Sequence, residues 1–323
     1  MIKTYLIISI LSCWMISSTQ QEKFPEAEIT NGLIHAHLYL PDSNKGYYQA
    51  TRFDWSGVIS SLEYEGHSFY GQWFEEYSPT THDAIMGPVE EFAPIGYSEA
   101  KSEESFLKIG VGTLAKPDES AYNSFKLYTI ANPGKWKIKA KSDQIQFVHE
   151  LNDAEYSYEY HKTIQLTKSK PELVLLHTLK NTGKKTIETT VYDHNFWVID
   201  NQVTGPGFEV NFPDNMKGDG RGFGNIARIQ DHKLIFLREL NQGESVYCNG
   251  LLRLNNITPD YNLSIENSKT HAGVRIRCDQ PMLKLVFWAS LKTVCPEPFI
   301  QIKVEPGKEF SWKISYEYYI RKE

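Results

Sequence analysis

The sequence has few cysteines, no excess of basic residues and no long apolar run beyond its N-terminal region. Four cysteines in 323 residues are too few for the disulfide framework of a small secreted domain. The 34 Lys and Arg residues are outnumbered by 40 Asp and Glu residues, which argues against binding to nucleic acid. The run from Met282 to Ala289 contains a lysine and is too short to span a membrane. We therefore expect a globular protein that has neither a nucleic-acid partner nor a transmembrane segment.

Several common functional motifs are also missing. The sequence contains no HExxH, no GxSxG elbow and no Walker lysine. A glycine-rich segment runs from Gly218 to Gly224, but no helical pattern follows it, and a phosphate-binding loop needs a helix N-terminus. This segment is predicted to be a mobile surface loop. His35 and His37 share a strand face without a third ligand nearby, so we expect a polar strand face and no metal site.

Aromatic residues and short alternating segments are abundant instead. The 19 Tyr, 16 Phe and 7 Trp residues favour strands. From Ala27 onward, apolar and polar residues alternate with a period of two between turn signals such as Pro306-Gly307, and no stretch carries a capped helical period. No linker divides the chain. The pattern predicts an all-β fold, a single large antiparallel β-sandwich domain over residues 24–323.

The N-terminal region has the pattern of an export signal. Lys3 precedes an apolar run from Tyr5 to Ile16, after which the sequence turns polar. We expect residues 1–20 to be a signal peptide and the protein to be exported, either periplasmic or anchored at the cell envelope. The residues up to Cys13 resemble a bacterial lipobox, so a lipoprotein signal that ends at Ser12 is an open alternative. A lipid anchor on Cys13 is the only membrane attachment expected.

The three remaining cysteines, Cys248, Cys278 and Cys295, lie in separate predicted strands without a CxxC pair. They are an odd number, so a disulfide framework is not indicated, although one bridge stays open as an alternative. We expect three buried structural thiols.

One histidine differs from the others that lie in strand patterns. Three are expected to be structural: His149, His161 and His177. His194 lies on the polar face of the strand that begins near Ile187, and Asn195, Phe196 and Trp197 follow it. This mixture of polar and aromatic side chains is typical of sugar binding, which makes Trp197 a candidate binding residue. A structural role for His194 remains an alternative from periodicity alone.

A second candidate, Glu297, is held between Pro296 and Pro298. The prolines remove ladder donors and restrict the backbone. They predict a stiff connection between two strands, in which the carboxylate of Glu297 is held in one direction. A solvated loop carboxylate is the alternative.

These two segments together resemble the aldose 1-epimerase (galactose mutarotase) family. Residues 177–199 resemble the family's turn and strand that end in a histidine followed by an aromatic pair. Residues 274–318 resemble its closing segment, with the Asp-Gln-Pro turn at Asp279, an aromatic strand, a glutamate and a final Pro-Gly hairpin. Gly57 to Leu62 is similar to the strand that opens the family's sandwich. The resemblance extends from about Glu28 to the end and implies the galactose mutarotase-like supersandwich fold.

The resemblance also implies roles for particular residues. His194 matches the family's general acid, Glu297 its catalytic glutamate, and Lys284 replaces a sugar-binding glutamine. The first half departs from the family, because its Gly-Arg and Leu-His-Gly-Gly motifs are absent. We expect Arg52 to lie in the site, and His82 or the pair formed by Glu90 and Glu91 to replace the family's second histidine.

The function implied by the resemblance is that of an exported aldose 1-epimerase-like isomerase. Glu297 would take the proton of the anomeric hydroxyl and His194 would protonate the ring oxygen, with the roles exchanged on closure. No metal or organic cofactor is needed, and the partner is a small-molecule carbohydrate. Two alternatives remain: a non-catalytic carbohydrate-binding protein on the same fold, and another acid–base reaction on a sugar, such as elimination or epimerisation at carbon. The sequence does not determine the sugar or the oligomeric state.

Overall fold

The structure, a computed structural model, describes residues 24–153, 155–253 and 261–322, with only the backbone described for Arg253. The predicted signal peptide and the predicted lipid anchor at Cys13 lie outside the described residues. In the described part of the chain, no helix has the length and apolar character that a membrane span requires.

The regular secondary structure of the described residues consists of strands, apart from one 3₁₀ turn at Ile199–Asn201. All strand pairs between neighbours are antiparallel. The largest sheet has ten strands, in the spatial order β16 (Ala227–Gln230), β17 (Lys233–Phe236), β14 (Phe208–Asn211), β19 (Asn262–Asn267), β20 (Ala272–Cys278), β23 (Glu309–Ile320), β12 (Glu172–Asn181), β11 (Tyr158–Leu166), β10 (Gln144–Leu151) and β9 (Lys135–Ala140).

A six-stranded sheet packs against it. Its spatial order is β15 (Met216–Lys217), β18 (Val246–Arg253), β21 (Lys284–Ser290), β22 (Thr293–Val304), β13 (Ile187–Phe196) and β5 (Gly87–Phe92). Two smaller sheets come from the first half of the chain: β1 (Glu26–Thr30), β2 (Ile34–Tyr39), β3 (Val58–Tyr64) and β4 (His67–Ser68) in one, and β6 (Ser105–Lys108), β7 (Gly112–Ala115) and β8 (Ile130–Asn132) in the other.

The two large sheets share one apolar core. Alternate residues of β12, such as Leu173 and Leu175, are buried in the same cluster as Ile300 and Ile302 of β22. Because successive side chains of a strand point to opposite faces, the period-two pattern sends one face of each sheet into this core. The predicted all-β antiparallel sandwich is thus confirmed.

The opposite face of the six-stranded sheet is partly covered by the first half of the chain. A second apolar cluster joins Phe53 and Trp55, which precede β3, to Val89 of β5 and Phe196 of β13. The cover does not extend over the whole face. It therefore leaves an opening above β13, β22 and β21.

The cysteines and most of the histidines take structural positions. Cys248 and Cys295 are buried free thiols, as expected, whereas Cys278 is only partly buried. His149 is buried, with its Nε2 2.8 Å from the carbonyl of Pro133. Three other histidines lie on strand faces beside glutamates: His35 near Glu28, His37 near Glu26 and His161 near Glu159.

Candidate active site

One face of the six-stranded sheet lines a cavity of about 450 Å³. The residues that alternate with the core residues point into it, which is what the period of two requires. They are Tyr192, His194 and Phe196 on β13, Lys284, Val286 and Trp288 on β21, Glu297 and Phe299 on β22, and Tyr247 and Asn249 on β18.

His194 and Glu297 are direct neighbours across two adjacent strands. Tyr192 pairs with Phe299, and Trp197 forms a bridge with Val294, so the same register places His194 opposite Glu297. The Nε2 atom of His194 lies 3.3 Å from Oε1 of Glu297, and their side chains are only 5% and 8% exposed. The structure therefore brings the two candidates together in one buried pair.

The prolines beside Glu297 interrupt the backbone hydrogen bonds between β13 and β22. Val294 donates its N–H to the carbonyl of Trp197, the residue after β13. The N–H groups that Pro296 and Pro298 lack would have pointed the same way. The side-chain amide of Asn195 instead donates to the carbonyl of Pro296 over 3.0 Å. Glu297 thus lies inside the continuous strand β22, which corrects the expectation of a connection between two strands.

Burial neutralises both members of the pair. Desolvation raises the pKa of Glu297 to about 8, with Glu91 and Asp83 adding to the shift and Arg52 opposing it. Desolvation also lowers the pKa of His194 well below its ordinary value, assisted by the charge of Arg52. At neutral pH Glu297 consequently carries a proton beside a neutral imidazole.

Arg52 reaches the cavity from the segment before β3 and is held there by carboxylates. Its Nε donates to Oε2 of Glu91 over 2.7 Å, and one terminal nitrogen donates to Asp83. Its other terminal nitrogen donates to the hydroxyl of Tyr192 over 3.1 Å. The guanidinium lies 4.6 Å from the ring centroid of Phe53. Arg52 thus lines the cavity with its guanidinium held in one orientation.

His82 lies at the edge of this arrangement and does not line the cavity. Its Nδ1 lies 2.9 Å from Oδ2 of Asp83. Burial alone would raise the pKa of Asp83, yet His82 and Arg52 together hold that pKa below its usual value. Asp83, which the sequence reasoning did not identify, is therefore the carboxylate that faces the cavity in this segment.

Glu90 and Trp197 point away from the cavity, which corrects two expectations. Glu90 is fully buried between the two large sheets, where His177 Nε2 lies 2.6 Å from it. The next residue, Glu91, faces the cavity side, because adjacent residues of a strand point to opposite faces. Trp197 directly follows Phe196, which lines the cavity, so its side chain points to the opposite side. It packs in the shared core against Tyr70, with 4.7 Å between ring centroids.

Aromatic rings surround the pair. The imidazole of His194 stacks on Phe196 with 3.8 Å between ring centroids, and Trp288 approaches its edge at 5.8 Å. Trp73, from the segment after β4, stacks on the other side of this group, 5.1 Å from Phe196. Alternation along β21 could have identified Trp288 from the sequence, whereas nothing in the local pattern around Trp73 indicates its position.

The glycine-rich segment contributes a cationic residue to the cavity. Arg221 forms a bridge with Tyr247 of β18 and lines the cavity, with its guanidinium 5.7 Å from the Tyr247 ring. A Cβ atom at Gly220, whose φ is +148°, would overlap the carbonyl oxygen of Tyr247. The segment expected to be a mobile surface loop is therefore packed closely against β18.

Lys284 also lines the cavity. Its Nζ is 4.3 Å from the ring centroid of Phe299, and its charge acts to lower the pKa of Glu297. Among the described residues, no cluster of three or more His, Cys, Asp or Glu side chains is arranged to hold a metal ion. The chemistry available in the cavity is thus proton transfer between His194 and Glu297, beside cationic and aromatic side chains.

The sequence matches no protein-family model, and no curated protein is significantly similar to it. Solved structures do match. They include a galactose mutarotase related enzyme from Lactobacillus acidophilus (TM-score 0.55, 14% identity, 92% of this chain and 100% of that chain). A galactose mutarotase-like protein from Lactobacillus casei (TM-score 0.52, 11% identity, 91% and 100%) is also similar. So is an aldose epimerase homologue from C. elegans (TM-score 0.52, 12% identity, 93% and 99%).

Each similarity covers nearly the whole of both chains. Because the sequence identity is so low, the similarity lies in how the strands are arranged. The resemblance stated from residues 177–199 and 274–318 predicted the same architecture. The chain has the galactose mutarotase-like β-sandwich fold of the aldose 1-epimerase proteins.

Proposed function

We propose that this protein interconverts the anomers of a sugar, with His194 and Glu297 as its acid–base pair. The observation that carries the proposal is the 3.3 Å approach of His194 Nε2 to Glu297 Oε1 inside a buried cavity lined by aromatic rings. The solved structures of the same fold that are described as mutarotase or aldose epimerase relatives support it.

The reaction needs one acid and one base. The anomeric hydroxyl loses a proton, the ring oxygen gains one, and the bond between the anomeric carbon and the ring oxygen breaks to give an open aldehyde. Rotation about the next carbon–carbon bond and closure on the other face complete the exchange. A pair that shares a single proton supplies both groups.

The protonation of the pair before substrate binds indicates which group is the acid in ring opening and which is the base. Glu297 carries the proton at neutral pH because desolvation raises its pKa to about 8. In this state Glu297 donates to the ring oxygen and His194 accepts the hydroxyl proton. The tautomer with Glu297 ionised and His194 protonated holds the same number of protons and runs the reaction in the roles that the sequence resemblance implies. Ring opening converts the pair from one tautomer to the other, and ring closure converts it back.

The surrounding side chains would position the sugar. Trp288 and Trp73 offer ring faces to the apolar C–H surface of a pyranose. Arg52 presents a fixed guanidinium, whereas Lys284 and Arg221 have no carboxylate partner among the described residues and are available for sugar oxygens. Binding of a small-molecule carbohydrate follows from this lining.

The test is exchange spectroscopy by NMR on freshly dissolved aldoses and uronates. The wild type should accelerate anomer exchange for at least one sugar. Glu297→Gln and His194→Ala should each reduce the rate by roughly 10²-fold or more, because a positioned acid or base contributes about 10²- to 10⁴-fold. The double variant should be little slower than either single variant, because the two groups act in one step.

Glu188→Gln is the matched control. Glu188 lies on the same strand, exposed and 3.4 Å from Lys303, so its loss should leave exchange unchanged. A wild type that binds sugars but leaves exchange at the buffer rate would favour the carbohydrate-binding alternative. Release of an unsaturated product would favour elimination.

A further inference from the structure

We propose that a second sugar residue binds beside the first, so that the substrate is an oligosaccharide whose reducing end reaches His194 and Glu297. The inference rests on the proposed function for the reducing end. Its basis is a second cavity of about 410 Å³ that shares Trp73 and Trp288 with the cavity described above.

The two tryptophans form a fixed partition between the cavities. Their ring centroids are 5.2 Å apart and their planes are inclined by 73°. The indole N–H of Trp73 donates to the carbonyl of Ile85 over 2.9 Å, and its ring stacks on Phe196. Both rings are only partly buried. Both tryptophans line both cavities, and Trp73 offers the part of its ring surface that Phe196 does not cover.

The second cavity begins close to the catalytic pair. Trp288 lies in it, and the same ring is 5.8 Å from the imidazole of His194. A sugar held over His194 and Glu297 would have its far edge at this partition. The next residue of an oligosaccharide, joined through a hydroxyl other than the anomeric one, would then enter the second cavity while the anomeric carbon stays free to react.

The walls of the second cavity combine apolar and polar groups as carbohydrate sites do. Phe74 packs edge-on against Trp73 at 5.7 Å. Gln242 donates to Glu75 over 2.6 Å, which links two separate chain segments that both line the cavity. Ser290 and Lys292 lie at the end of β21 and in the following turn. Lys292 has no carboxylate partner among the described residues, so its ammonium is available to sugar hydroxyls.

The experiment compares each monosaccharide with a disaccharide that carries the same sugar at its reducing end. Glucose is paired with maltose and cellobiose, and galactose with galactobiose, and kcat/KM for anomer exchange is measured by NMR. At least one disaccharide should exceed its matched monosaccharide by about tenfold or more. Phe74→Ala and Lys292→Ala should reduce that ratio towards one.

The control is Lys308→Ala, which removes an exposed lysine from the turn before β23 and should leave the ratio unchanged. Monosaccharides that exchange as fast as every matched disaccharide would overturn the second binding site and leave the proposed function intact. If no sugar is exchanged, the proposed function fails. Calorimetric titration with the same pairs then decides the second site, because equal affinity for each pair would refute it.

Discussion

The ionisation of Glu297 and His194 is the feature of individual residues that most affects function. Exposed side chains of these types would be a carboxylate and a partly protonated imidazole near neutral pH. Burial raises the pKa of Glu297 to about 8, so its protonated form is favoured at neutral pH. Burial also lowers the pKa of His194, so its neutral form is favoured. Glu297 therefore keeps its proton, and His194 stays neutral, over a range that includes neutral pH.

The pH dependence of kcat/KM should follow from this. We expect activity to fall by about tenfold per pH unit above pH 8, as the pair loses its proton. On the acid side activity should persist to well below pH 6.5, because His194 resists protonation. A rate profile for anomer exchange, corrected for the buffer reaction, measures both limbs.

Replacing Lys284 tests the assignment of the alkaline limb. The charge of Lys284 favours the ionised form of Glu297, so Lys284→Met should raise the pKa of that carboxyl and shift the alkaline limb to higher pH. A limb that stays in place, or shifts to lower pH, would mean that another group controls it.

Among the secondary-structure elements, the interrupted pairing of β13 and β22 is what positions the pair. Asn195 connects the two strands, because its amide donates to the carbonyl of Pro296 and its oxygen accepts from the hydroxyl of Tyr316 over 3.0 Å. It is a positioning residue for its neighbours His194 and Glu297.

Asn195→Ala should therefore reduce activity beyond its effect on stability. The loss of buried hydrogen bonds should cost about 1–3 kcal/mol, measured by urea unfolding. The rate of anomer exchange should fall through kcat more than through KM, since the two catalytic groups lose their spacing.

Asn181→Ala is the matched control. Asn181 is also buried, and its amide donates to the carbonyl of Val304 over 2.8 Å at the far end of β22. It should lose similar stability and retain full activity when folded. Equal loss of kcat in both variants would contradict the positioning role.

For the whole molecule, a buried charge cluster joins the two large sheets. Lys162 of β11 contacts Glu90 of β5, and His177 of β12 lies on the other oxygen of the same carboxylate. Burial alone would raise the pKa of Glu90, but Lys162 and His177 outweigh it and lower that pKa to about 2. Lys162, whose pKa the carboxylate of Glu90 raises despite burial, is charged beside the ionised Glu90, whereas desolvation lowers the pKa of His177. The buried carboxylate therefore depends on Lys162 as its cation.

Lys162→Met should destabilise the protein by about 3–5 kcal/mol, because it leaves a buried carboxylate without its cation. Urea unfolding at pH 7 measures this, and adding Glu90→Gln should recover part of the loss. Lys137→Met, which removes an exposed ion pair with Glu150 from the same sheet, should have little effect. If the two lysine variants behave alike, the cluster carries no special stability.

The residues themselves determined the fold class and the two central side chains. Alternation with a period of two is a local property of strands, so the sequence was sufficient to predict an all-β sandwich and to place His194 on a polar face. Counting from His194 also places Trp197 on the opposite face, and that signal was available. The resemblance over residues 274–318 then identified Glu297 as its partner.

Only the tertiary structure decided the rest of the cavity. Every residue of β5 is buried, so its pattern did not show whether Glu90 or Glu91 faces the cavity. Asp83, Trp73 and Arg221 lie in segments without a repeating pattern, and their convergence depends on how distant parts of the chain pack. The protonation of Glu297 also depends on the tertiary structure, because the desolvation that raises its pKa comes from the distant segments that bury its carboxyl group.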